Sequence, residues 1–213
     1  MSWPLVLPPT LEPRHAELRA RIDAGLARVV RFASTFGWGE HVAESFFDSA
    51  EVFDRKDAFD ARLLALAGFP GTTVLPPTAV GALEARVLVL VAPDRYDEIY
   101  PEGRVDETPW EKLVAHEIGH RLHIRLLRGD EEAMGPVWFY EGFAIVVADQ
   151  FASDADRPSP EEVRAIVTAS ERGSYRRYRG VMRWLLDRVS LPELVSRAGA
   201  PKFVDEVVGL TEP

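Results

Sequence analysis

Residues 108–148 read TPWEKLVAHEIGHRLHIRLLRGDEEAMGPVWFYEGFAIVVA, and this stretch decides the fold of the chain. Thr108 with Glu111 three residues later predicts a capping box, and Pro109 suits the first helical position, where no N–H is needed. Apolar residues then recur at helical spacing, so a helix is predicted as far as Gly129. These residues are Leu113, Val114, Ile118, Leu122, Leu126 and Leu127.

His116, Glu117 and His120 form the pattern HExxH within this predicted helix. Positions four residues apart project from the same face of a helix, one turn apart. Two imidazoles at that spacing can bind one metal ion, and the carboxylate between them can reach the water on that ion. The sequence therefore predicts a metal site on a rigid helical support.

A catalytic zinc site usually takes three protein ligands and leaves one position for water. A histidine six residues after His120 is excluded, because Leu126 stands there. Asp130 is a second candidate, but it lies in an acidic stretch typical of a solvated turn. The third candidate is Glu141, a lone carboxylate in the apolar helix predicted over 136–148, which is costly to bury without a cation. We predict Glu141 as the third ligand; the alternative is a buried carboxylate paired with an arginine.

Zinc is the metal that this donor set suits, since Zn²⁺ accepts two imidazoles and a carboxylate and imposes no geometry of its own. His123, three residues after His120, is predicted to support the ligands or to lie at the surface. His15 and His41 have no partner at a metal-binding spacing.

HExxH followed by WFYEGFA resembles the gluzincin metallopeptidases, particularly the compact peptidase MA-like proteins, and also the WxxEGFA segment of zinc aminopeptidases. The resemblance is strong over about 108–150 and weaker from the strand near Arg86 to the C-terminus. It implies a zincin-like α+β fold: a small mixed β-sheet with backing and active-site helices in an upper lobe, and a mainly helical lower lobe. We expect a single domain over 1–213, with the upper lobe at 1–128 and the lower lobe at 129–213.

The resemblance also implies the roles of individual residues. His116, His120 and Glu141 are expected to bind zinc, with Glu117 as general base and proton shuttle in peptide hydrolysis. Tyr178 is expected to donate a hydrogen bond to the developing oxyanion, with Tyr175 as the alternative; these two tyrosines complete the expected catalytic set. The expected substrate is a peptide or protein that pairs with the strand lining the cleft by β-augmentation.

Two positions depart from the family pattern. Tyr140 stands where the aminopeptidases often have Asn, and Ile145 stands where some members have an Asp that supports a ligand histidine. A catalytically inactive zinc-binding regulator or scaffold therefore remains an alternative, and a metal-free helical interaction domain is a second one. No residues that would bind a free peptide amino terminus are recognisable upstream of His116, which favours an endopeptidase.

The composition narrows the class of protein. The net charge of −9 argues against a general nucleic-acid binder, because phosphate contacts need a basic surface. The absence of cysteine excludes disulfides and cysteine metal sites. The N-terminus lacks the pattern of a secretory signal and no apolar run is long enough to span a bilayer, so we expect a cytoplasmic protein with no membrane partner.

The rest of the chain is predicted as short elements around this stretch. Helices are expected over 11–36, 57–67, 159–172, 175–189 and 200–208, a short helix capped by Ser190, one or two strands within 38–55, one strand over 83–92, and a polar loop over 93–107. The 83–92 strand is expected to be the last before the metal helix.

Five arginines between 172 and 183 either face solvent or supply one side chain that reaches into the cleft. They are Arg172, Arg176, Arg177, Arg179 and Arg183.

Overall fold

A computed structural model describes residues 3–101, 106–154 and 157–212, and shows a mixed α and β fold with a small four-stranded sheet. The strands are β1 (Leu5–Val6), β2 (Ser49–Phe53), β3 (Gly81–Glu84) and β4 (Val87–Val91). The helices are α1 (His15–Thr35), α2 (Lys56–Leu66), α3 (Pro93–Ile99), α4 (Pro109–Leu126), α5 (Val137–Ala148), α6 (Pro160–Val167), α7 (Tyr175–Leu186), α8 (Leu191–Arg197) and α9 (Phe203–Gly209), with short 3₁₀ turns at Glu12–Arg14, Gly39–Val42 and Glu132–Met134. The α+β prediction is confirmed at this level.

The sheet has the strand order β1-β2-β4-β3, in which β1, β2 and β4 are parallel and β3 is antiparallel to β4. The prediction of one continuous strand over 83–92 is wrong. A reversal at Ala85 and Arg86, both with positive φ (46° and 63°), splits it into the hairpin β3–β4. As a result β4 lies in the interior of the sheet, and β3 is an edge strand within the described residues.

Two further predictions before α4 are corrected. Residues 93–107 are not all loop, because Pro93 opens the helix α3, in which Tyr96 is buried. Thr108 does not form a capping box: its backbone is left-handed (φ 54°) and its side chain makes no capping bond. Glu111 is instead bound by the Arg21 guanidinium of α1, at 2.7 and 3.1 Å, which fastens α4 to the backing helix.

The other predicted helices are present, with shifted ends. The helix predicted over 159–172 ends already at Val167, so 168–174 is a connecting segment. Its N-terminus is closed by a capping box between Ser159 and Glu162, and the predicted Ser190 cap is confirmed. The helix predicted over 200–208 begins only at Phe203.

Helices α4 and α5 pack closely at Gly119. A Cβ at this position would lie 3.3 Å from the Cα of Ala144 and from the Cβ of Val147. Because α4 carries the histidines and α5 carries Glu141, this close approach sets the distance between the two groups. The buried apolar residues of both helices belong to one continuous core with the sheet and α1. Across the described ranges, no helix combines the length and apolar character needed to cross a membrane.

Candidate metal centre

His116, His120 and Glu141 converge on one point. The two Nε2 atoms are 3.1 Å apart, and Oε2 of Glu141 lies 3.1 Å from Nε2 of His116 and 3.7 Å from Nε2 of His120. Two nitrogens bound to one tetrahedral zinc at about 2.0–2.1 Å are about 3.3 Å apart, so these spacings are those of a ligand cage. Among the described residues these three side chains form a group that could hold a metal ion.

The hydrogen bonds of His116 also fit a histidine that could bind a metal ion. Oε1 of Gln150 lies 2.9 Å from Nδ1 of His116, and because a carbonyl oxygen only accepts, this orientation of the amide places the ring proton on Nδ1. In the neutral ring, Nε2 then presents a lone pair to Oε2 of Glu141, which also only accepts. Two acceptors 3.1 Å apart in a buried site repel each other unless a cation lies between them. That cation is either a metal ion or a proton on His116, and the donor set fits a divalent metal.

The charges of the site shift several pKa values. Burial alone would lower the pKa of His116, but its contacts with Glu141, Glu117 and Gln150 raise it above its usual value. Burial, with His116 as a second cause, lowers the pKa of His120 to about 3. Burial alone would raise the pKa of Glu141, but the histidines and Arg172 lower it to about 2, so this carboxylate stays ionised.

Arg172 reaches Glu141 from the segment between α6 and α7. Its Nη2 donates to Oε1 of Glu141 and, at 2.8 Å, to the hydroxyl of Tyr175. Glu141 is therefore paired with an arginine and also lies against the two histidines, so the two alternatives given for this carboxylate are both realised in part. Oε1 of Glu141 accepts a hydrogen bond from Arg172, and Oε2 faces the histidines.

Glu117 lies beside the histidines in the cleft, with its side chain against Gly81 of β3. A Cβ at Gly81 would be 3.1 Å from both Cγ and Oε1 of Glu117, so any side chain there would displace Glu117 by a few tenths of an ångström. Burial raises the pKa of Glu117 to about 7, against the lowering effect of His116. A carboxylate with that pKa can take up and release a proton near neutral pH.

Tyr175, and not Tyr178, lies at the centre. The ring of Tyr175 stacks on His116, with ring centroids 5.4 Å apart. The hydroxyl of Tyr178 instead accepts a hydrogen bond from the N–H of Gly173 at 2.5 Å, and the side chain is buried in the core. The preference for Tyr178 is corrected here: at the start of α7 these residues, three positions apart, point to different neighbours. Burial raises the pKa of Tyr175, so its hydroxyl remains protonated.

A cleft of about 400 Å³ opens onto these groups. One side is the segment that leads into β3, with Thr78, Ala79 and Gly81, and the opposite side is the segment from Arg172 to Tyr175. The histidines, Glu117 and Glu141 line the floor between them. A smaller cavity of about 70 Å³ adjoins it between Glu117 and the turn that carries Gln150.

The other candidates named from the sequence lie elsewhere. Asp130 caps the turn after α4, where its Oδ1 accepts from the N–H groups of Glu132 and Ala133. His123 neither supports a ligand through a hydrogen bond nor lies at the surface. It is fully buried and stacks on Phe143 at 4.5 Å, and within the described chain neither ring nitrogen has a hydrogen-bond partner.

The arginines of α7 do not form a simple solvated face. Arg176, Arg179 and Arg183 all bind the segment 149–154 that follows α5, through side-chain or main-chain oxygens. Arg177 is exposed. His15 begins α1 and His41 lies in the 3₁₀ turn Gly39–Val42, away from the metal centre.

Sequence reasoning missed Gln150 and Gly81. A signal for Gln150 was present, since it is a lone amide directly after the apolar helix that carries Glu141. Nothing near Gly81 in the sequence indicated that a helix side chain would lie against it. Ile145, which stands where some members of the resembled family have an Asp, is buried in the core, and the side chain next to Nδ1 of His116 is that of Gln150.

Comparison of the chain with known protein families, with curated proteins and with solved structures finds no match.

Proposed function

We propose that this chain is a metal-dependent hydrolase, and specifically a zinc peptidase with the zincin-like arrangement that the HExxH…E pattern resembles. The observation that carries the proposal is the convergence of His116, His120 and Glu141 to within 3.1–3.7 Å, with Glu117 beside them in an open cleft. Two imidazoles and one carboxylate are a donor set of catalytic zinc sites, which leave a further position for water or substrate.

Bound zinc would supply Lewis-acid chemistry, acidifying a water molecule and polarising a carbonyl group. The protein supplies the proton transfers. The carboxylate of Glu117 accepts a proton from the attacking water and then donates it to the nitrogen of the leaving amine. Burial raises the pKa of this group above its usual range, which suits a carboxyl group that both accepts and returns a proton.

Tyr175 and Arg172 are the proposed stabilisers of the negative charge that develops on the substrate. The Tyr175 hydroxyl accepts from Arg172, which leaves its own proton free to donate. Arg172 places a positive charge at the same side of the cleft. Donors that are fixed before the reaction stabilise an oxyanion without having to reorganise.

The cleft supports an extended peptide as substrate. Its wall leads into β3, whose outer edge is unpaired among the described residues, and an edge strand can bind a peptide through main-chain hydrogen bonds. Among the described residues of the cleft, the carboxylates are Glu117 and Glu141, and both belong to the metal centre. Neither is free to bind a peptide amino terminus, which favours cleavage within a chain over removal of the first residue.

A second candidate is a zinc-binding protein of the same fold without catalytic activity. The observation that favours it is the Arg172–Glu141 contact, because it places a positive charge directly beside the proposed ligands, where it disfavours a divalent cation. In that case zinc binds, and no peptide is cleaved.

The experiment has two stages. Protein purified without chelator is analysed for metals, then loaded with zinc and incubated with a broad peptide library, beside Glu117→Gln. We expect one zinc per chain in both proteins, and cleavage by the wild type that chelation abolishes and the variant lacks. Zinc without cleavage selects the second candidate. Absence of bound metal contradicts both and leaves a metal-free interaction domain, and full activity of Glu117→Gln removes the general base from the proposal.

A further inference from the structure

Gln150 lies in a turn whose backbone is unfavourable by itself. Asp149 and Phe151, on either side, are both left-handed, with φ of 55°. Residues with a side chain rarely adopt this conformation, and such positions persist where the surroundings determine them. The contacts that determine this turn are therefore informative about its role.

Lys112 and Asp106 bind the turn at both ends. Nζ of Lys112 donates to the carbonyl of Asp149 at 2.5 Å, and the N–H of Phe151 donates to the carboxylate of Asp106 at 2.9 Å. Lys112 and Asp106 also pair with each other at 2.9 Å. We call this arrangement the Lys112–Asp106 clamp. It fixes the main chain before and after Gln150.

The clamp and the metal centre share one face of α4. Lys112 lies one turn before His116, which lies one turn before His120. The same helix face therefore carries the two candidate ligands and the residue that fixes the partner of the first. Gln150 closes the connection, with its Oε1 2.9 Å from Nδ1 of His116.

Stability alone does not explain this ion pair. The side chains of Lys112 and Asp106 are only 6% and 5% exposed, and removing two charges from water costs about as much as their attraction returns. A buried pair of this kind is better explained by the geometry that it imposes. Here that geometry is the position of Gln150.

We infer that the Lys112–Asp106 clamp positions Gln150 so that it fixes the orientation and proton of the His116 ring for metal binding. Lys112, Asp106 and Gln150 are thus positioning residues. The inference rests on the proposed function in that the bound group is a metal ion.

The first test is zinc affinity, measured by competition with a chromophoric chelator. Gln150→Leu removes the acceptor, and we expect the affinity to fall about 10- to 100-fold, the usual effect of losing the hydrogen-bond partner of a ligand histidine. Glu111→Gln is the matched control. Glu111 is next to Lys112 in sequence, but it projects about 100° away from it round α4 and pairs with Arg21 of α1. The substitution therefore weakens an ion pair of α4 outside the clamp, and the zinc affinity should remain that of the wild type.

The second test asks whether the clamp acts through Gln150. Lys112→Met with Asp106→Asn removes both charges together, and we expect a loss of up to about tenfold in zinc affinity. In the Gln150→Leu background, the same pair of substitutions should not lower the zinc affinity any further. Should the double variant not fold, Asp106→Asn alone is measured in both backgrounds by the same criterion.

The outcomes separate the inference from the proposed function. An unchanged affinity of Gln150→Leu, or an equal loss from the clamp variant in both backgrounds, overturns the inference while the metal site stands. A wild type that binds no zinc contradicts the proposed function instead. The inference is then decided by the ring ¹⁵N signals of His116 in the uncharged state. We expect its proton on Nδ1 in the wild type and redistributed to Nε2 in Gln150→Leu, and a wild-type proton on Nε2 overturns the inference.

Discussion

Arg172 donates to Oε1 of Glu141, while Oε2 of the same carboxylate faces Nε2 of His116 at 3.1 Å. The two oxygens thus have different partners: Oε1 accepts from the arginine, and Oε2 faces the histidines. Arg172 also binds the Tyr175 hydroxyl. One exposed side chain therefore connects the candidate third ligand with the candidate oxyanion donor.

We predict that Arg172→Met retains zinc and lowers kcat about tenfold. The histidines and Oε2 of Glu141 remain in place, but Tyr175 loses the donor that positions it and the cleft loses a positive charge. Zinc content by elemental analysis and kcat with a cleaved peptide are measured together. Arg177→Met, at an exposed position of α7, should match the wild type in both, and loss of zinc from Arg172→Met would show that the arginine supports the metal ligand instead.

Tyr175→Phe is expected to lower kcat about a hundredfold without loss of zinc. It removes one hydroxyl donor and keeps the ring that stacks on His116. Tyr178→Phe is the matched comparison, because its hydroxyl only accepts from Gly173 in the core. We expect Tyr178→Phe to lower the free energy of unfolding by about 1 kcal/mol and to lower kcat by less than tenfold. A larger kinetic effect at Tyr178 would reverse the assignment.

Gly81→Ala tests the contact between β3 and Glu117, the proposed general base. The added methyl group would lie 3.1 Å from Oε1 of Glu117 and 3.2 Å from Leu113, so the carboxylate must move. Displacing a catalytic group by a few tenths of an ångström should lower kcat about tenfold or more. Gly71→Ala provides the control, since a Cβ there meets no atom within 4 Å. Equal activities of the two variants would exclude a role for the close contact.

His123→Leu should change the pH dependence of stability. Burial lowers the pKa of His123 from 6.5 to about 4 in the folded protein, so between these values the unfolded chain takes up a proton that the folded chain does not. The free energy of unfolding therefore decreases as the pH falls from 6.5 towards 4, and His123 accounts for up to about 3 kcal/mol of this decrease.

The leucine variant has no such group, and it also removes two buried nitrogens that lack partners among the described residues. We expect it to be about 1 kcal/mol more stable at pH 7.5 and to lose less stability on acidification. Urea unfolding of the metal-free proteins between pH 7.5 and 4.5 measures both effects. Parallel stability curves for the two proteins would contradict the assignment of the acid sensitivity to His123.

Helix α4 could be predicted from apolar residues that recur at helical spacing, and α5 from a nearly continuous apolar run of helical length. The β3–β4 hairpin could not, because Ala85 and Arg86 occupy left-handed positions where Gly or Asn would normally mark a turn. Leu83, Ala85 and Val87 alternate with the charged Glu84 and Arg86, so a strand-like alternation continues through the reversal. The capping box predicted at Thr108 is absent for a related reason. A capping box needs the side chain of Glu111, and that side chain binds Arg21 of α1 instead.

The candidate site also contains residues whose placement the sequence could predict and residues whose placement it could not. His116, Glu117 and His120 are related by the repeat of a single helix, and the approach of Glu141 depends on one helix pair. Tyr175, by contrast, depends on where α7 begins and on which way its first turn faces, which no local pattern specifies. Arg172 and Gln150 lie in connecting segments, where side-chain direction is set by the backbone conformation of each residue rather than by a period.

Gly119 carries no donor atom, yet its contact with Ala144 fixes how far the imidazoles stand from the carboxylate. Zinc–nitrogen bonds of about 2.0–2.1 Å and calcium–oxygen bonds of about 2.3–2.6 Å differ by only a few tenths of an ångström. A larger residue at this crossing would open the cage by a similar amount. Under the proposed function, the preference for one ion over another therefore depends partly on how closely α4 and α5 approach at Gly119, and a substitution there can change it while His116, His120 and Glu141 stay the same.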